Sequence, residues 1–175
     1  MTHVKNGIYG EMWVAAMLAA AFTGKDWSVV IRAGLAQIPA TSRLHADVTR
    51  ILDLHADGAT YDEAVATVNA RWDERCFHDW CHTNSNAQIV ALGLLYGGDD
   101  FGLTVTRAVM PGFDTDCNGA TCGSLWGAMH GAAAIPARWT TPIGDIVRTG
   151  VTGWHETTVS ALAAAMAGLA WKQRA

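Results

Sequence analysis

The chain has 175 residues, half of them apolar and only 16% charged, with a formal net charge of −4. That length suits one domain with a substantial core, and that composition excludes intrinsic disorder. No cluster of Lys or Arg is longer than a pair, so the electrostatic footprint of a nucleic-acid binder is missing. Cys76, Cys81, Cys117 and Cys122 are even in number, but a core of this size needs no disulfide framework, and the expectation is reduced thiols and a cytoplasmic protein.

At the N-terminus, Lys5 and the run "MWVAAMLAAAF" resemble the charged and apolar regions of a signal peptide. Gly10 and Glu11 interrupt that pattern, and the better reading of "YGEMWVAAMLAAAF" is an alanine-rich helix enclosed by others. Asp26 is positioned to cap a second helix, with Val29, Val30, Ala33 and Ile38 on one side and Pro39 as its stop. Ser42 opens a third, in which Leu44, Val48, Ile51, Leu52 and His55 recur at helical spacing until Gly58. Thr60 and Glu63 form a capping-box pattern for a fourth, "YDEAVATVNARW".

The polar stretch "DERCFHDWCHTNSN" reads as a long irregular segment, the only one in the chain. After it, "AQIVALGLLYG" predicts a buried helix and "DDFGLTVTRAVM" the next, with Asp99 and Asp100 in a solvated or capping role. Near the C-terminus, "VSALAAAMAGLAW" falls short of the ~20 apolar residues that a membrane span requires. Alternating strand patterns, internal repeats and low-complexity linkers are absent from the sequence, which therefore predicts an all-α fold in one domain over residues 1–175.

Chemistry concentrates in "GFDTDCNGATCGSLWGAMHG", residues 112–131. Asp114 and Asp116 stand at i and i+2, a spacing that converges them when the first is still in the loop and the second begins the helix. Free N–H groups and the positive end of the helix dipole favour carboxylates there, and oxygens so placed can hold a hard cation such as Mg²⁺. Simple helix capping by the same residues is the competing reading. Gly119, Gly123, Gly127 and Gly131 recur every fourth residue and predict a smooth stripe for close helix packing. "CFHDWCH" offers Cys76, His78, Cys81 and His82 as zinc donors, although the spacing is not that of a common finger. No phosphate-binding glycine loop is present and no nucleophile marks a catalytic triad.

The segment "GFDTDCNGATCGSLWGAMHGAAAIPARW" resembles the signature of the ADP-ribosylglycohydrolase family, in which Gly-Asp-x-Asp-Thr opens a Gly/Ala-rich helix ending in a Pro-x-x-Trp turn. "HVKNGIYGEMWVAAMLAAAF", "AGLAQIPATSRL" and "HTNSNAQIVALGLLYGGDDFGLTVTRAV" are similar to the C-terminal half of that family in order and spacing. The resemblance implies an all-α orthogonal bundle with a two-Mg²⁺ centre that hydrolyses the N- or O-glycosidic bond joining ADP-ribose to a protein side chain or another acceptor. It implies Asp114 and Asp116 as catalytic metal ligands and the following residue as a third. That residue is Cys117, where the familiar motif has Thr or Ser, and a soft thiol is a poor partner for Mg²⁺. Asn84, Asn86 and His3 match positions that approach the ADP-ribose.

The family's Thr-Asp-Asp segment, which supplies its other metal ligands, is not found in this sequence, and the resemblance therefore implies a C-terminal portion, truncated or split. Two functions follow as expectations. One is a Mg²⁺-dependent ADP-ribosyl hydrolase, with the isolated chain nearly inactive. The other is a non-catalytic helical half-domain that binds ADP-ribose weakly or pairs with a separate N-terminal piece. Neither requires nucleic acid or a membrane.

Overall fold

The computed structural model describes residues 3–24 and 26–172. These divide into two compact units, residues 1–134 and 135–175. The first contains α1 (Asn6–Ala21), α2 (Trp27–Leu35), α3 (Arg43–Ala56), α4 (Tyr61–Asn69), α5 (Phe77–Trp80), α6 (Thr83–Gly97), α7 (Phe101–Val109) and α8 (Thr115–His130), then a 3₁₀ turn at Ala132–Ala134. The second contains α9 (Ala137–Thr140), the short strands β1 (Ile146–Arg148) and β2 (Glu156–Thr158), and α10 (Val159–Lys172). None of the described helices is long and apolar enough to cross a membrane.

The helix starts follow from side-chain oxygens that satisfy otherwise orphaned backbone N–H groups. Asp26 accepts from Ser28 N, Ser42 from His45 N, and Asp100 from Leu103 N. Thr60 and Glu63 complete a reciprocal capping box at α4. All four starts agree with the sequence reading. Each typically contributes about 1 kcal/mol to the helix it opens.

Packing centres on α6. Ile89, Val90, Ala91, Leu92, Leu94 and Leu95 are buried all the way round it, so the helix has no solvent stripe. It packs against α7, α8, α3, α4, α1, α2 and α5. Close approach is made possible by small residues: a Cβ on Gly97 would fall on the Thr104 backbone of α7, and one on Gly93 would sit 2.9 Å from Ala108 Cβ. The α1 helix buries Gly10, Trp13, Met17 and Ala21 along one face, with Trp13 Nε1 donating to Ile31 O at 3.3 Å. Its other face is open, with Met12 42% and Phe22 76% exposed, so it is not enclosed all round within this unit.

Three local expectations are corrected. The polar segment 73–86 is not irregular throughout, because Phe77–Trp80 forms one turn of helix and His82 starts α6 at Thr83. The longer irregular stretch lies between Gly131 and Thr158, where β1 and β2 pair antiparallel with Val147 opposite Thr157, a small hairpin in an otherwise helical chain. Gly131 does not extend the glycine stripe: it has φ 83 and ends α8 in the left-handed region that glycine adopts without strain. Gly119 and Gly123 do face α7, next to Val109 and Phe101 respectively. In the second unit, Asp145 accepts from Ser160 N at 3.0 Å at the start of α10, and Arg148 pairs with Glu156 across the hairpin at 3.1 Å.

His82 caps α6 by accepting from Asn84 N through Nδ1 at 3.1 Å, and its ring stacks on Trp72 at 4.7 Å between centroids. Burial first, then His78 and Arg43, hold this imidazole below its ordinary value of 6.5. The neutral ring is therefore the one the fold prefers. The stability it contributes is present in full above 6.5 and is lost as pH falls from there through the lower folded value.

Two outcomes are expected. Gly97→Ala should lower the urea midpoint by a stability loss of about 1–3 kcal/mol, since α7 must shift to admit the methyl group. His82→Asn keeps a cap acceptor that does not titrate, so the melting temperature of this variant should fall less than the parent's between neutral and mildly acidic buffer; an identical fall would refute the role of His82.

Candidate metal and ligand site

The start of α8 is shaped by two consecutive residues in the left-handed region, Gly112 at φ 82 and Phe113 at φ 60. For a bulky side chain that conformation is strained, and it persists where surrounding structure holds it. Phe113 is buried, and the space that a Gly112 side chain would need is filled by Glu74. The reversal turns the next residue, Asp114, back over the start of α8.

Asn86, on the first turn of α6, fixes that position. Its Oδ1 accepts from Asp114 N at 3.1 Å and from Asn118 Nδ2 at 2.7 Å. Its own Nδ2 donates to Trp80 O and His82 O, both at 3.0 Å. One carboxamide thus ties the polar segment, α6 and α8 together. The two helix starts meet at a single point.

Asp114 occupies the N-cap position of α8, yet its carboxylate makes no capping hydrogen bond. A ligand oxygen from Asp114, one from Asp116 and the sulfur of Cys117 all lie within 4.8 Å of one another. Among the described residues this is the one group of three or more acidic, His or Cys donors gathered so closely. Cys76, His78, Cys81 and His82 make no such group, and the zinc reading of "CFHDWCH" has no geometric support.

Partial burial lifts the Asp114 carboxyl above its ordinary value; Cys117 opposes the lift and Asp116 adds to it. Burial and the two carboxylates likewise raise the Cys117 thiol. A cation between these groups would relieve both effects, because opposite charge favours the ionised forms.

Asp114, Cys117 and Asn118 line a cleft of about 470 Å³ between the starts of α6 and α8 and the open face of α1. Trp13, Val14, Leu18 and Val90 give it an apolar side. His3 lies on the same cleft, its Nδ1 2.7 Å from Glu11 Oε1. Asn86 also lines it, whereas Asn84 does not. Asn84 is 1% exposed and gives its Nδ2 to Asp47 Oδ2 at 2.7 Å. Asp47 also takes Arg71 at 2.8 Å. Asn84 thus belongs to a buried polar network. The structure gathers Asp114, Asp116 and Cys117 and places Asp114, Cys117, Asn86 and His3 on one cleft, which neither Asp116 nor Asn84 lines.

Sequence reasoning passed over Asn118, although it stands four residues after Asp114 at helical spacing and on the same face. It also passed over the link from Asn86 to α8, which no local pattern reveals.

No curated protein and no solved structure shows a significant match to the chain. The family model described as ADP-ribosylglycohydrolase matches residues 1–173. That span takes in the cleft, both helix starts and the three clustered donors, and on it the chain belongs to the ADP-ribosylglycohydrolase family.

Proposed function

We propose that this chain serves in metal-dependent hydrolysis of the glycosidic bond between ADP-ribose and a protein side chain or other acceptor. The observation that carries this reading is the clustering of Asp114, Asp116 and Cys117, two of which line a cleft, in a chain that belongs to the ADP-ribosylglycohydrolase family.

Two carboxylates on one short segment fit Mg²⁺, which is usually held by one or two carboxylates and keeps several waters. The thiol of Cys117 adds nothing for so hard an ion. Asp114 and Asp116 would hold the cation. Bound there, a divalent ion supplies charge stabilisation and orients substrate hydroxyls and water.

The chain's own residues do the rest. Asn86 holds the Asp114 backbone and the Asn118 side chain at the start of α8. The apolar side around Trp13 and Val90 excludes water and offers contact to the rings of a nucleotide. His3 and Glu11 supply polar groups elsewhere on the same cleft.

A second reading has an observation of its own. The described residues gather three donors at one point and no second group, which is too few for a two-metal centre. On that basis the chain would bind ADP-ribose without turnover, or complete its site with donors from a separate N-terminal piece.

The two readings separate by experiment. Calorimetric titration of ADP-ribose, with and without Mg²⁺, should show binding, and release of ADP-ribose from N- and O-linked substrates should be near zero for the chain alone but appear when the missing donors are supplied. Binding with no release under any condition favours the module; neither binding nor release refutes both. Asp116→Asn retains an uncharged polar side chain of the same shape. It should weaken Mg²⁺ binding on the order of tenfold or more with little change in melting temperature. Unchanged Mg²⁺ binding would remove Asp116 from the site.

A further inference from the structure

One imidazole stands where the polar segment, the start of α6 and the cleft meet. His82 accepts from Asn84 N through Nδ1 at 3.1 Å, which places the proton of the neutral ring on Nε2. Its chain neighbours, Cys81 and Thr83, both line the cleft. The His82 carbonyl receives Ser85 Oγ at 2.8 Å and Asn86 Nδ2 at 3.0 Å. Trp80 O is the other acceptor of that Asn86 amide group, and the oxygen of the same carboxamide holds Asp114 N and Asn118 Nδ2. A path of hydrogen bonds therefore runs from the His82 residue to the start of α8.

The ring is set among charges. From α5 come His78, 5.1 Å away between ring centroids, and Asp79, whose Oδ1 is bonded to His78 at 2.8 Å. From α3 come Arg43 and Asp47, the latter already engaged by Arg71 and Asn84. His3 and Lys5, at the start of α1, line a second cavity of about 410 Å³ together with Arg43, His78 and His82, and its lining contains no carboxylate. Trp72, stacked on the ring, carries no charge, and Asp73 beside it gives its N–H to Asp79. A proton on His82 would add positive charge next to His78 and Arg43. Burial first, and then those two neighbours, oppose it, while Asp79 and Asp47 act the other way.

We propose that His82 is a pH-sensitive latch on the cleft, whose protonation releases the start of α6 and, through Asn86, the backbone at Asp114. A proton from solvent on Nδ1 turns the acceptor into a donor that faces Asn84 N–H, so the cap is lost. The new charge also stands at the positive end of the α6 dipole, where cations are disfavoured. The turn from Trp80 to His82 then relaxes, and both acceptors of Asn86 Nδ2 move with it. Without them the carboxamide no longer fixes Asp114 N. The latch is closed while the ring is neutral and opens as pH falls through the folded value of His82, which lies below 6.5. It acts whichever ion or substrate the cleft takes.

The test follows the full 175-residue chain by two-dimensional NMR from neutral to mildly acidic buffer. The His82 ring, the Asn86 side-chain amide and the Asp114 backbone amide should shift together, with one shared midpoint below 6.5. In His78→Asn, which removes a neighbouring cation, that midpoint should rise by the same amount for all three signals. In His82→Asn, which keeps an uncharged cap acceptor, the Asn86 and Asp114 amides should lose the transition, and only a step belonging to the Asp114 carboxyl should remain. Asn86 and Asp114 signals that stay still while the ring titrates overturn the proposal. So does a transition at the ring's midpoint that persists in His82→Asn, or a ring that takes no proton before the chain unfolds. If His82→Asn does not fold, His78→Asn decides alone: a ring midpoint that rises without the Asp114 signal following it overturns the latch.

Discussion

A helix with apolar residues on every side has to be covered on every side, and α6 imposes that requirement on the whole first unit. Ile89, Leu92 and Leu94 are fully buried, and each is a side chain whose burial contributes roughly 1.5–3 kcal/mol. Seven neighbouring helices supply the cover, and α7 comes close enough only because Gly97 and Gly93 have no side chains. The positions of α1 and α8, which form the cleft, are therefore set by a helix that has to be covered on every side.

Polar contacts then convert that packing into a site. The first turn of α6 carries Asn84 and Asn86 two residues apart, and the helix directs them to different tasks. Asn84 goes inward to Asp47, a buried carboxylate that also pairs with Arg71, and so anchors α6 to α3. Asn86 goes to the start of α8 and holds Asp114 and Asn118. Such networks rigidify the elements they join, although Asn84 Oδ1 itself is buried without a partner.

The strain at Phe113 belongs to the same design. A left-handed bulky residue is tolerated because its ring is buried and because Glu74 fills the space beside Gly112. In return the chain reverses just before Asp114, which lines the cleft. Two acidic groups and a thiol held so close repel in their ionised forms, and burial together with this proximity raises the Asp114 and Cys117 protonation equilibria.

Much of this was legible along the sequence where the interactions are local. The capped starts at Asp26, Ser42, Thr60 and Asp100 depend on residues two or three apart, and the Asp114–Asp116 pair shows itself by its own spacing and by resemblance to a family motif. The packing of Gly119 and Gly123 against α7 was likewise readable, because a four-residue period maps directly onto one helix face. What the sequence could not decide was everything set by contacts between distant segments. The parting of Asn84 and Asn86 depends on Asp47, nearly forty residues away, and on Asp114, twenty-eight residues on. The end of the glycine stripe at Gly131 and the open face of α1 were decided by where α8 stops and by which helices remained to cover α1. Local spacing determined which residues could act as donors; long-range packing and hydrogen bonds between chain segments decided which of them meet.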